Sequence, residues 1–276
     1  MAEYQARSPE VAAFVHRKNA ECEAQRKRLA DASADDAWQI AMDTTESDAA
    51  RLESILVLIR NHDDRLSDLV LSLFDEPDLT VWRSVIRSFH PDCPGIRERL
   101  REFAKHHDDD AIAAEALCVL AQMNDASTVS ICQDWLTRGQ SSRNAAVETL
   151  RLLGGDASMK ILEQRWADAG LTDEDRNTLA LALTHFQHRD ASNHVLDLAR
   201  TGTCSWSVAA ATTLYLCTPS TGLRCMMDIL DTGTPDARRA MVHQISSLAG
   251  HLTHEYTADG IHEARLWVET QLAGAS

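Results

Sequence analysis

The chain has 276 residues, with 27 Lys or Arg against 42 Asp or Glu and a formal net charge of −15. That balance excludes a protein that coats nucleic acid or anionic lipid, since both reward clustered basic residues through counterion release or surface potential. Hydrophobic residues at 44% supply enough apolar material for a sizeable core, while 11 Gly and 6 Pro are too few breakers for an all-β architecture.

In chain order, the first ten residues lack the apolar core of a signal peptide. No run approaches the roughly 18 apolar residues that span a bilayer, so a cytosolic protein is expected. Residues 9–30 open with Val11, Ala12, Phe14 and Val15 and continue into a charged run, which predicts a helix that caps the fold or forms an arm. Residues 35–42, with Trp38, read as the second helix of a degenerate first unit. The seven cysteines, Cys22, Cys93, Cys118, Cys132, Cys204, Cys217 and Cys225, form no Cys-x-x-Cys pair and are odd in number. They predict reduced thiols and not a disulfide framework or a four-thiolate zinc site.

From residue 48 onward the chain repeats itself. Helical apolar patterns centre on Ile55, Ile86, Leu117, Leu150, Leu183, Leu214 and Ile245, spaced by 31, 31, 33, 33, 31 and 31 residues. Asp108, Asp109 and Asp110 precede the third pattern, as the positive end of a helix dipole favours. Asp125, Asp156 and Asp190, each followed by Ala-Ser, open a second segment and are expected to be N-caps. Gly139, Gly170, Gly202 and Gly233 close that segment, where a left-handed residue would end a helix. Thr172 with Asp175, and Thr234 followed by Pro235, mark new starts. Each unit therefore reads as helix, turn, helix, turn. Helices this short are marginal alone and must stack, so an all-α fold is predicted, a solenoid of about seven helical hairpins. The predicted layout is an N-terminal cap or arm over residues 1–46, repeats over 47–248, and a C-terminal helical cap over 249–276 in which Gly260 separates two segments.

Units of about 31 residues with an acidic start, an Ala-rich first helix and an Asp-opened second helix resemble HEAT repeats of the short bacterial type named after phycobilisome lyases. The likeness spans residues 48–248 and is clearest over 110–136 and 142–166. It implies a right-handed superhelix whose second helices line a concave face. On that pattern Gln133, Asp134, Gln164, Arg165, Asp197 and Asp228 would point away from the core and contact a partner. The resemblance specifies architecture, whereas such solenoids serve many unrelated functions.

No Gly-rich phosphate loop, Gly-x-Ser-x-Gly elbow or His-Glu-x-x-His helix occurs. His243, His251, His254 and His262, with Glu255 and Glu263, crowd the C-terminal cap without a full ligand set at motif spacing. The two His-Glu pairs, His254-Glu255 and His262-Glu263, resemble those that hold two irons in deoxyhypusine hydroxylase. They fall in one segment, however, and the matching Asn144-Ala145 carries no ligand. Bilin lyases share the repeat type but need an aromatic-lined groove, and aromatic residues are 5% of this chain. HEAT-like DNA glycosylases grip phosphates on a basic face, which a charge of −15 opposes. Trp135 and Trp166 share one repeat position and predict packing between consecutive second helices, with a pair of interface anchors as the alternative.

Acidity is uneven. Residues 31–50 contain Asp31, Asp35, Asp36, Asp43, Glu46 and Asp48 with no Lys or Arg, and residues 106–137 contain Asp108, Asp109, Asp110, Glu115, Asp125 and Asp134 likewise. These stretches either solvate the surface or attract a basic partner. The expected function is a non-catalytic adaptor that binds a basic protein, without metal or cofactor, nucleic acid or membrane. An immunity protein neutralising a basic toxin is the alternative, and a metal-dependent or lyase-like enzyme the third reading.

Overall fold

The structure, a computed structural model, describes residues 20–76, 78–88, 95–250 and 256–274. Among them there is no strand, and no helix is long and apolar enough to cross a membrane. The chain divides into two compact units at Asp125 and Ala126.

In the first unit residues 20–28 are helical. They are followed by α1 (Ala34–Met42), α2 (Asp48–Arg60), α3 (Leu66–Ser72), a 3-10 turn (Leu73–Asp75), α4 (Thr80–Ser88), α5 (Ile96–His106) and α6 (Asp110–Gln122). Helix α2 packs on α1, α3 and α4, α3 on α5, α4 on α6, and α5 on α6. The starts are encoded locally. Ser33, Ser47 and Asp109 each accept a backbone N–H from the first turn of the helix they precede, as short oxygen-bearing side chains do.

The second unit holds α7 (Thr128–Trp135), α8 (Gln140–Leu153), α9 (Gly155–Trp166), α10 (Asp173–His185), α11 (Arg189–Thr201), α12 (Cys204–Cys217), α13 (Pro219–Thr232), α14 (Pro235–Ala249) and α15 (Ala258–Gly274). Here every helix packs on the next, and α8, α10, α12 and α14 also touch in succession. The seven apolar anchors fall on α2, α4, α6, α8, α10, α12 and α14, and all are buried. Thr172 caps α10 through the Asp175 N–H, and Thr234 caps α14 with Pro235 in the first turn. Trp166 at the end of α9 meets His188 and His194 at the edges of their rings, so it packs on the next second helix as its repeat position predicts.

Three local expectations are corrected. Asp125, Asp156 and Asp190 are not N-caps. Ser127 precedes α7 and Gly154 precedes α9, neither with a side-chain cap, while His188 caps α11 by accepting the Ala191 N–H on Nδ1. Asp125 is instead drawn inward, 3% exposed, by Arg101 and Arg97, because a buried carboxylate is better satisfied by guanidinium than by one amide. Gly139, Gly170, Gly202 and Gly233 are not left-handed. Glycine at 202 and 233 answers to space: an added Cβ would lie 2.5 Å from the Leu198 carbonyl oxygen and 2.4 Å from that of Ile229. Gly260 lies buried in the first turn of α15, which runs through it without a break, and residues 253–255 of the expected first segment lie outside the described residues.

Candidate functional site

In the first unit, the 3-10 turn with the residues just after it, α5 with His107 beyond its end, and the start of α6 line an open cleft of about 830 Å³. Its lining is Phe74, Asp75, Glu76, Asp78, Leu79, Arg99, Phe103, His107, Asp109 and Ile112. The aromatic wall is a connected cluster. Phe74 meets Phe103 edge-on at 4.8 Å between centroids, both meet the buried Trp82 at 5.4 Å, and Phe103 lies 5.0 Å from His107. Such geometry fixes the rings in place. The Trp82 indole N–H, sealed behind them, has no acceptor among the described residues.

The carboxylates of the cleft are held differently from one another. Glu76 is clamped from beneath by Arg51, whose guanidinium donates to Oε2 at 2.8 Å and Oε1 at 2.5 Å and also to the Ala41 carbonyl at 3.0 Å. The bond to Glu76 raises Arg51 above its ordinary value against the cost of burial. Asp75 pairs with Arg99, whose guanidinium lies 5.6 Å over the Phe74 ring and also reaches Glu102. Asp78 uses Oδ1 on the Thr80 hydroxyl and amide, and these bonds hold its carboxyl below the usual range. Asp109 uses Oδ1 on the Ala111 and Ile112 amides. The Oδ2 atoms of Asp78 and Asp109 accept no hydrogen bond among the described residues. His107 Nδ1 accepts the Asp109 N–H at 3.0 Å, which assigns the ring proton to Nε2.

Of the residues singled out by sequence, Asp108, Asp109 and Asp110 are exposed at the start of α6, and Asp109 lines the cleft. Gln133 and Asp134 on α7, Gln164 on α9, Asp197 on α11 and Asp228 on α13 are exposed, and Arg165 is half-buried with its charge on Asp168 at 2.7 Å. Asp134, Arg165, Asp197 and Asp228 follow one another by 31, 32 and 31 residues and occupy one register on four second helices of the second unit. Sequence reasoning missed the remaining cleft residues, because Phe74, Arg99 and Phe103 share no repeat position and meet only when the 3-10 turn comes against α5.

Elsewhere in the second unit Cys217 Sγ lies 3.5 Å from His185 Nδ1. Burial pushes the thiol up and the imidazole down, with Arg151 adding to the second shift, so the pair is held neutral and is not a primed thiolate. Among the described residues no group of three His, Cys, Asp or Glu side chains is placed to hold a metal. His251, His254 and Glu255 lie outside the described residues, His262 and Glu263 are exposed, and His243 is half-buried. None of the cysteines among the described residues is in a disulfide.

No protein-family model matches the chain, and no curated protein matches it.

Proposed function

We propose that this protein is a HEAT-like α-solenoid acting as a non-catalytic binding module, and that its partner is a protein with a basic surface. Support for the repeat architecture comes from the packing of alternate helices within each unit and from seven buried anchors at a nearly constant period. The observation that carries the binding role is the register of exposed carboxylates, Asp134, Asp197 and Asp228, repeated on α7, α11 and α13 of a protein with charge −15. Repeated helices offer one surface position many times, so a single residue type becomes a stripe. Arg165, in the same register on α9, is paired with Asp168, so the stripe keeps a net negative charge, and such a stripe accelerates encounter with a basic surface and fixes orientation.

Chemical cross-linking of the full chain in its native extract, followed by identification of the attached proteins, tests the reading. A basic partner is expected whose capture falls when Asp134, Asp197 and Asp228 are changed together to Asn. Capture by a neutral or acidic partner, unchanged in that variant, overturns it.

A further inference from the structure

We infer that the cleft of the first unit is a seat for an arginine side chain presented by the basic partner. The inference deepens the proposed function and rests on it. An acidic surface attracts any cation, but this cleft adds a feature that distinguishes guanidinium from ammonium. Its wall is a fixed aromatic cluster, and planar guanidinium stacks on ring faces while presenting donors to carboxylates at its edge.

The protein already places one guanidinium in this way. Arg99 lies over Phe74 and bonds Asp75 and Glu102. Its charge is offset by those carboxylates, and that of Arg51 by Glu76, so neither repels a second cation strongly. What remains of the lining is Phe103 and His107, 5.0 Å apart between ring centroids, with Asp78, Asp109 and the apolar Leu79 and Ile112. Each of those aspartates is rigidly held through Oδ1 by its own helix start, while Oδ2 is free of hydrogen bonds among the described residues. Two aspartates held by their helix starts in one cleft with two aromatic rings suit a group that is planar, positive and rich in donors. A volume of about 830 Å³ accommodates such a side chain with its flanking backbone.

The test uses the full chain and two labelled probes, a hexa-arginine and a hexa-lysine peptide, followed by fluorescence anisotropy at fixed moderate salt. Hexa-arginine is expected to bind at least about fivefold more tightly than hexa-lysine, since only arginine stacks well. Changing Asp78→Asn and Asp109→Asn together keeps both amide-accepting oxygens and removes both charges. It is expected to weaken hexa-arginine about tenfold, with helix content by circular dichroism unchanged. Phe103→Leu, which preserves bulk but not the ring face, is expected to remove most of the preference for arginine over lysine. The pair Asp197→Asn and Asp228→Asn is expected to leave hexa-arginine binding unaltered. Equal binding of the two peptides, or wild-type binding by the Asp78/Asp109 variant, overturns the seat. If binding is instead lost in the Asp197/Asp228 variant, the seat falls and the proposed acidic stripe stands. If the wild-type chain binds neither peptide, both fall.

Discussion

Single carboxylates in this protein differ mainly in what holds them. Asp63 accepts from Arg65 at 2.9 Å and 2.6 Å and from the Arg65 amide at 3.0 Å, and these bonds, led by the guanidinium, bring its carboxyl down to about 2. The unfolded value is near 3.9, so the native state favours the ionised form and its contribution is complete above about pH 4. It is lost as pH falls through about 2. Thermal midpoints measured across acid pH should therefore drop more steeply for the wild type than for Asp63→Asn, and parallel curves would show the pair to be inert. Asp175 is pushed up by burial, yet hydrogen bonds from Arg143, Thr172 and Gln140 outweigh that effect and leave it lowered. Cys217 illustrates the opposite case, where burial keeps a thiol protonated. Maleimide labelling at neutral pH should modify Cys217 roughly tenfold more slowly in the native chain than in urea. Faster labelling of the native chain would mean that His185 activates it.

At the scale of helices, starts and contacts have different origins. Ser33, Ser47, Asp109, Thr172 and Thr234 cap their helices through bonds spanning two or three residues, and such caps are legible because the partners are fixed by sequence spacing. Asp125 misleads the same rule because its partners, Arg97 and Arg101, arrive from α5. Arg51 is likewise a buried cation whose acceptor is 25 residues away. Truncation by Arg51→Ala leaves Glu76 without its clamp and should cost about 3 kcal/mol in urea unfolding. A loss within the range of exposed pairs, below about 1 kcal/mol, would mean that water compensates. Gly222 lets α12 and α13 approach closely, since a Cβ there would lie 2.0 Å from the Tyr215 backbone nitrogen. Gly222→Ala should destabilise the second unit by about 2 kcal/mol, read in the same assay.

Charge acts at the scale of the whole molecule. A protein with net charge −15 should meet a basic partner faster at low ionic strength. Stopped-flow association with the hexa-arginine probe should slow as salt rises, because the screening length falls from about 30 Å at 0.01 M to about 10 Å at 0.1 M. A salt-independent rate would assign binding to contact chemistry alone.

The two acidic stretches show where reading the chain in one dimension stops. Residues 31–50 and 106–137 lack Lys and Arg in sequence. In space Arg65 reaches Asp35, Arg28 reaches Glu46, Arg83 reaches Glu115 and Arg101 reaches Asp125, so four of the acids are neutralised by distant arginines. By itself the sequence determined that the protein is helical, where its buried anchors recur and which residues begin a few of its helices. Periodicity and capping depend on neighbours within one or two turns, so they are written locally. Only the tertiary structure decided which carboxylates remain available and that Phe74, Phe103, His107, Asp78 and Asp109 share one cleft. Those relations join residues from several helices, and no spacing along the chain encodes them.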